Sequence, residues 1–207
     1  QALVNYNEDQ QPGYGEDFYS LKAKEIIKKK LNSEKSEIYF VSGGTQANLI
    51  VISSILKPYQ AVIAATTGHI LNNETGAIEA TGHKILGVET ADGKLRPSDI
   101  VQILENHKNI PHQVMPKLVY ISNSTELGTI YKAEELQLLS TFCKDNNLYL
   151  FMDGARLAQA LTSEINDLKF DQLADLTDVF YIGGTKNGAL IGEGIVINNP
   201  DLQQDFA

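Results

Sequence analysis

The sequence has little cysteine, a minority of basic residues and no long hydrophobic run. Its single cysteine, Cys143, excludes an intrachain disulfide and a zinc site built from cysteines, and we interpret it as a small apolar residue on a helix. The 17 basic residues against 26 acidic ones give a net charge of -9, which argues against nucleic acid as a partner. No apolar run is long enough to cross a membrane, so we expect a cytoplasmic protein with no membrane partner.

The composition is otherwise that of an ordinary globular protein. A chain of 207 residues with 43% hydrophobic and 21% charged residues is long enough for one substantial domain with its own core. The first residue is Gln1 rather than Met, and we expect the chain to be a segment of a longer protein. Residues 1–16 are polar and rich in Gly, Gln and Asn, which predicts an extended arm before a domain at 17–207.

Short apolar runs alternate with helical patterns along this domain. Predicted strands cover 37–41, 61–64, 83–89, 117–122, 148–152, 179–182 and 194–197. Predicted helices cover 17–31, 45–56, 96–107 and 133–145, and a further helix begins near Gly154. The alternation predicts a three-layer α/β/α fold with a mostly parallel, mixed central sheet, which binds ligands at the carboxyl ends of its strands.

Clusters of small residues follow four of the predicted strands. They are Ser42-Gly43-Gly44-Thr45, Gly68-His69, Asp153-Gly154-Ala155-Arg156 and Gly183-Gly184-Thr185-Lys186. Because the carboxyl ends of parallel strands lie along one rim of a sheet, we expect the clusters at 42–45, 153–156 and 183–186 to share that rim. Gly68-His69 follows its strand by a few residues.

The turn at Gly43-Gly44-Thr45 opens a predicted helix. A helix N-terminus with free backbone amides, glycines that let a ligand approach and a hydroxyl group suits a phosphate. Alone, the tripeptide is more typical of an ordinary capped helix start. It lacks the lysine of a nucleotide P-loop and the spacing of a dinucleotide fingerprint, so we exclude those two phosphate sites.

Asp153 and Arg156 lie at the end of a very apolar predicted strand. Asp153 is either the N-cap of the following helix or an acceptor for a protonated ring nitrogen, whose positive charge a carboxylate favours. Arg156 falls in the first turn of that helix, where a cation opposes the helix dipole. It therefore either pairs with Asp153 or another acid, or binds a carboxylate or phosphate of a ligand.

Lys186 and His69 are the other candidate site residues. Lys186 is flanked by glycines after an apolar strand, and a lysine packed in a dry site can form a Schiff base; the alternative is a solvated loop lysine. The flat ring of His69 could stack on a planar cofactor if it lies on the same rim. The other histidines, at 83, 107 and 112, show no metal-ligand spacing, and we predict no metal site.

In their order along the chain, these segments resemble the threonine aldolase and β-eliminating lyase group of fold-type-I enzymes, which depend on pyridoxal 5'-phosphate (PLP). The similarity runs from about Tyr14 to Ile197 and rests on residues 43–48, His69, residues 153–156 and Lys186. It implies that the chain has the fold of the PLP-dependent transferase-like large domain.

The resemblance implies a role in cofactor binding for most of the candidates. Gly44 and Thr45 bind the cofactor phosphate, His69 stacks on the pyridine ring and Asp153 pairs with the ring nitrogen. Lys186 holds the cofactor covalently.

The resemblance also extends to the substrate and the assembly. Arg156 binds cofactor or substrate oxygens, and the segment Tyr14-Gly15-Glu16-Asp17 is similar to one that lies near the active site at the family's subunit interface. A homodimer or homotetramer is implied, with the smaller C-terminal domain of the family outside this chain.

One segment departs from the family pattern. After the strand at 117–122, threonine aldolases commonly have an Asn-Thr-His-type segment, whereas this chain has Asn123-Ser124-Thr125-Glu126-Leu127-Gly128. Glu126 or Thr125 takes the place of the histidine. Glu126 can serve as the base if burial raises its pKa or if a water molecule relays the proton.

The reaction that the resemblance implies is retro-aldol cleavage of L-threonine or a related β-hydroxy-α-amino acid to glycine and an aldehyde. A PLP-dependent β-elimination that releases a keto acid and ammonia is one alternative, with Lys186 as the base. The other, from a different class, is a non-catalytic α/β module that binds a phosphorylated small molecule.

Overall fold

The computed structural model describes residues 2–204 and 206. In this part of the chain, seven strands form one sheet in the order β1-β7-β6-β5-β4-β2-β3. They are β1 (Glu37–Val41), β2 (Gln60–Ala65), β3 (Lys84–Val88), β4 (Met115–Ser122), β5 (Tyr149–Asp153), β6 (Val179–Gly183) and β7 (Glu193–Ile197). Each overlaps a strand predicted from the apolar runs, and helices cover both faces, so the predicted three-layer fold is confirmed.

The direction of β7 makes the sheet mixed. It pairs antiparallel with β1 and β6, whereas β2 with β3, β2 with β4, β4 with β5 and β5 with β6 pair parallel. The carboxyl ends of β1, β2, β4, β5 and β6 therefore share one rim of the sheet with the amino end of β7. This rim carries all four small-residue clusters.

The described residues form eight α-helices, and two of them begin at clear local signals. The helices are α1 (Ala2–Tyr6), α2 (Phe18–Leu31), α3 (Gly44–Ile55), α4 (His69–Asn72), α5 (Pro97–Asn106), α6 (Ala133–Asp145), α7 (Leu157–Leu161) and α8 (Leu173–Leu176). Asp17 begins α2 by accepting hydrogen bonds from the backbone amides of Tyr19 and Ser20, and Pro97 takes the first position of α5.

The alternation of side chains along the strands divides the core between the two faces of the sheet. Ile63 and Val119 point to the face covered by α5 and α6. Val62 and Leu118, one residue earlier in each strand, point to the face covered by α3. Burial of one such side chain contributes roughly 2 kcal/mol, so both helical layers are bound to the sheet by apolar contact.

One prediction about local structure is wrong, and one predicted helix begins three residues late. Residues 2–6 form the short helix α1 instead of an extended arm, because Ala2–Tyr6 closes one helical turn, extended by a hydrogen bond from Asn7 N to Leu3 O. The helix expected near Gly154 begins at Leu157, because the side chain of Asp153 holds residues 153–155 in a turn. The division into an arm at 1–16 and a domain at 17–207 stays a prediction. The first residue of the arm, Gln1, and the last residue of the domain, Ala207, lie outside the described residues.

Some sequence features are accounted for by the fold alone. Cys143 lies on a helix, α6, as predicted, and its burial there raises the pKa of its thiol to about 12. Across residues 2–204 and 206, none of the helices has the length and apolarity to cross a membrane. In the same residues, no group of three or more His, Cys, Asp or Glu side chains could hold a metal ion.

Candidate active site

A cavity of about 150 Å³ opens at the rim where the parallel strands end. It is lined by Gly44, Thr45, His69, Glu74, Glu126, Asp153, Ala155, Arg156, Tyr181, Thr185, Lys186 and Glu193. The sequence predicted seven residues for the site, and all seven line this cavity: Gly44, Thr45, His69, Glu126, Asp153, Arg156 and Lys186. The structure thus brings them together, while their roles stay predictions. Lys186 is exposed at the cavity, so the dry packing expected from its flanking glycines is not observed in this chain.

Four donors surround the buried carboxylate of Asp153 at the end of β5. Its Oδ1 accepts hydrogen bonds from the Tyr181 hydroxyl at 2.5 Å and from the Ala155 backbone amide at 2.9 Å. Its Oδ2 accepts from the Tyr120 hydroxyl at 2.6 Å and from Asn48 Nδ2 at 3.1 Å. Asp153 does not cap α7, and the four bonds instead hold the carboxylate in one orientation beside the cavity.

Tyr120 and Tyr181 act as donors to Asp153 because they keep their protons. Burial is the main cause that raises the pKa of each hydroxyl well above its ordinary value, and the negative charge of Asp153 raises it further. Neither tyrosine is among the residues predicted from the sequence. The available signal was a hydroxyl inside an otherwise apolar strand, since a buried tyrosine hydroxyl needs a hydrogen-bond partner.

Glu74 connects His69 with the Asp153 network. Its Oε1 accepts a hydrogen bond from Asn48 Nδ2 at 2.7 Å and lies 3.1 Å from Nδ1 of His69. The hydrogen bond with Glu74 raises the pKa of His69; burial lowers it, and the charge of Asp153 raises it. Within the described chain, Glu74 Oε2 and Asn48 Oδ1 are buried without a hydrogen-bond partner.

Asn48 and Glu74 are also absent from the residues predicted from the sequence. Asn48 is a fully buried polar residue on the apolar face of α3, next to Ala47 and close to Val51 and Ile52. A polar side chain in that position is the signal that could have identified it, because a buried amide needs partners. Glu74 gave no comparable local signal.

The amino end of α3 faces the same cavity. Gly43, the residue before the helix, provides no side-chain cap, and the first backbone amides of a helix have no intrahelical acceptor. Thr45 is exposed beside these amides. A Cβ at Gly44 would lie 3.1 Å from the Tyr181 hydroxyl, so a side chain there would press on the Asp153 network. The open amides suit an anion.

Arg156 is half-buried at the cavity, immediately before α7. Of the ion pairs formed by the described residues, none includes Arg156, so the predicted alternative of a salt bridge to Asp153 is not formed. Its guanidinium group is therefore available to a carboxylate or phosphate.

The glycines of two clusters are needed for backbone packing. A Cβ at Gly154 would lie 1.7 Å from the carbonyl oxygen of Tyr181, and one at Gly183 would lie 2.4 Å from that of Ala155. The amide of Gly183 donates a hydrogen bond to the carbonyl of Gly154 at 2.9 Å. These glycines bring the loops of Asp153 and Lys186 together, which places both side chains at one cavity.

Glu126 is the candidate base that lines the cavity. Its Oε1 accepts a hydrogen bond from Ser122 Oγ at 3.2 Å, and burial is the main cause that raises the pKa of its carboxyl group. Thr125, the other candidate, is buried, and its hydroxyl shares a 2.7 Å hydrogen bond with that of Thr129. Only Glu126 is thus in position to meet a ligand.

Known proteins that are similar to this chain in sequence or structure are described as beta-eliminating lyases or threonine aldolases. The family model of the beta-eliminating lyases matches residues 2–205. A low specificity L-threonine aldolase from Pseudomonas aeruginosa is 34% identical over 99% of this chain and 59% of its own length. A threonine aldolase structure from Leishmania major is 49% identical with a TM-score of 0.97, over 99% of this chain and 60% of that chain. This chain therefore spans about three-fifths of the length of these relatives.

Proposed function

Because this chain belongs to the beta-eliminating lyase family, we propose that it forms the cofactor-binding domain of a PLP-dependent carbon–carbon lyase. The proposed reaction is cleavage of L-threonine or a related β-hydroxy-α-amino acid to glycine and an aldehyde. The observation that supports it best is that Lys186, Asp153 and the uncapped amino end of α3 converge on one cavity.

The donors and acceptors of the cavity fit PLP. The amine of Lys186 suits the aldehyde, the carboxylate of Asp153 suits the ring nitrogen, and the open amides of α3 with Thr45 suit the phosphate. When bound, PLP supplies a ring that takes up the electron pair released as a bond to the substrate's α-carbon breaks. His69 lies at the same cavity, where its ring could stack on the cofactor.

Asp153 would keep the proton on the ring nitrogen, because an opposite charge favours the protonated form. Tyr120, Tyr181 and Asn48 would fix that carboxylate through the hydrogen bonds described above. Arg156 would bind the substrate carboxylate and so set the orientation of the bond that breaks.

Glu126 would take the proton from the β-hydroxyl group of the substrate. Burial raises the pKa of this carboxyl group toward the pH at which a base works best. Lys186 would be the base instead if the reaction is β-elimination, in which the proton leaves the α-carbon.

The test uses the full-length protein with PLP. We expect a yellow protein that loses its colour on borohydride treatment, with the reduced label on the peptide that contains Lys186. K186A should lose the label and lower kcat at least roughly a hundredfold, whereas K169A, at an exposed lysine, should keep both.

The products then identify the reaction. Glycine and an aldehyde from a β-hydroxy amino acid support the proposal, and a keto acid with ammonia supports the β-eliminating alternative. A colourless protein that binds a phosphorylated ligand equally well with K186A would instead be the non-catalytic module.

We also propose that the protein assembles as a homodimer or homotetramer. Phe40 and Ile191 are 42% and 68% exposed and line an apolar groove that reaches Gly184, next to the cavity. Covering such a surface with a second copy would bury it. Light scattering on the full-length protein should give at least twice the mass of one chain, and a monomer would contradict the proposal.

A cytoplasmic location stays a prediction.

A further inference from the structure

Glu193 binds the two residues that precede Lys186. Its Oε2 accepts a hydrogen bond from the backbone amide of Gly184 at 2.6 Å, and its Oε1 accepts one from the hydroxyl of Thr185 at 2.6 Å. Thr185 and Lys186 are themselves exposed, whereas Glu193 is only 3% exposed. An exposed loop is thus hydrogen-bonded to a buried residue at the start of β7.

The position of Glu193 follows from the direction of β7. As the first residue of that strand, it pairs with Gly183 on β6 and with Val41 on β1. Because β7 is antiparallel to both neighbours, its amino end meets their carboxyl ends at the rim of the cavity. This direction places Glu193 beside the loop that carries Lys186.

The burial of this carboxylate requires an explanation. A buried carboxylate is costly unless it is paired or hydrogen-bonded. No ion pair of the described residues includes Glu193, so hydrogen bonds offset the cost, and those two go to the Lys186 loop. An apolar side chain would fill the same space without that cost.

We propose that Glu193 is a positioning residue that fixes Gly184 and Thr185 so that the amine of Lys186 points at the cofactor aldehyde. The inference rests on the proposed function, because it takes Lys186 as the attachment point. Attachment is the condensation of the amine with the aldehyde, with loss of water. Borohydride then reduces the C=N bond to a stable secondary amine, which mass spectrometry detects.

The test measures how fast PLP attaches to Lys186 in the full-length apoprotein. E193L removes both acceptors and should slow attachment roughly tenfold or more, since small errors in orientation have large effects on rate. E193Q should stay within about threefold of wild type, because its amide oxygen can accept from Gly184 while its amino group donates to Thr185. T185V should be several-fold slower than T185S, which keeps the hydroxyl.

E37Q is the matched control. Glu37 lies opposite Ile197, at the far end of β7, and also accepts a hydrogen bond from a hydroxyl, that of Tyr39. E37Q should attach PLP at the wild-type rate.

Because Thr185 is exposed, T185V and T185S should fold, and they test the proposal even if E193L does not fold. Equal attachment rates in T185V and T185S would overturn the role of Glu193, as would a folded E193L with the wild-type rate. A wild-type protein without label at Lys186 would instead overturn the proposed function, before any variant is compared.

Discussion

At the scale of single residues, hydrogen bonds rather than ion pairs with lysine or arginine hold the buried carboxylates of the site. Asp153 accepts from two tyrosines, an asparagine and a backbone amide, and Glu193 accepts from Gly184 and Thr185. This arrangement keeps negative charge at the cavity without using the cations there. Lys186 and Arg156 remain available for a ligand.

Replacing Glu74 by glutamine is expected to lower the pKa of His69, because the hydrogen bond with Glu74 is the main cause that raises it above 6.5. A histidine whose pKa is higher in the folded than in the unfolded state stabilises the fold while it is protonated. This contribution is complete at pH values below the pKa of the unfolded state and is lost as the pH rises through the pKa of the folded state. E74Q should therefore lose more stability relative to wild type at about pH 5.5 than at about pH 9. NMR titration of the His69 ring and urea unfolding at both pH values measure the two effects.

The matched control for this prediction is E79Q. Glu79 is exposed on the 3₁₀ helix Glu79–Thr81, a few residues beyond Glu74. Its removal should leave the titration of His69 in place. An unchanged His69 titration in E74Q would show that the 3.1 Å contact with Glu74 does not control the ring.

At the scale of elements, the turns after β5 and β6 pack directly against each other. Their backbones approach so closely at Gly154 and Gly183 that neither position has room for a Cβ atom. A hydrogen bond between these two glycines joins the turns directly. The relative position of Asp153 and Lys186 therefore depends on the two glycines between their loops.

G154A is expected to lower the free energy of unfolding by roughly 3 kcal/mol, because a rigid backbone carbonyl cannot yield as a flexible side chain would. The added methyl group would meet the carbonyl oxygen of Tyr181 at 1.7 Å. Urea unfolding measures the change. G13A is the control, since no atom lies within 4 Å of a Cβ at Gly13, and equal stability of the two variants would contradict the close packing.

At the scale of the whole molecule, the two rims of the sheet differ in the polar groups that they carry. The site occupies one rim, and the opposite rim holds a buried polar network around Asn198, which is 3% exposed. Asn198 Oδ1 accepts from Ser36 Oγ at 2.8 Å, and its Nδ2 donates to the carbonyl groups of Leu173 and Thr177, both at 3.1 Å. This network ties the beginnings of β1 and β6 to the end of β7, away from the cavity.

N198A should therefore reduce stability by about 3 kcal/mol, since it leaves buried groups without partners. Labelling of Lys186 by PLP and borohydride should remain at the wild-type level below the unfolding transition. The control N109A, at an exposed asparagine, should change stability by less than about 0.5 kcal/mol. Loss of labelling in a folded N198A protein would show that the two rims are coupled.

The sequence by itself determined the strands, the longer helices and most of the residues proposed for the site. The strand at Glu37–Val41 and the helix at Ala133–Asp145 have the predicted bounds, because hydrophobic periodicity is a local property of the chain. The strand-end clusters identified six of the seven proposed residues that line the cavity, since parallel strands bring their carboxyl ends to one rim, and the family resemblance added Glu126.

Only the tertiary structure decided which residues support those seven. Asn48 bonds Asp153 across 105 positions of sequence, and Glu193 reaches the Lys186 loop only because β7 runs antiparallel. Such contacts depend on strand order and direction, which long-range pairing sets. No local pattern of residue types records these pairings. A polar group in an apolar strand or helix could have marked Tyr120, Tyr181 and Asn48, but their partners, and the roles of Glu74 and Glu193, became visible only in the folded chain.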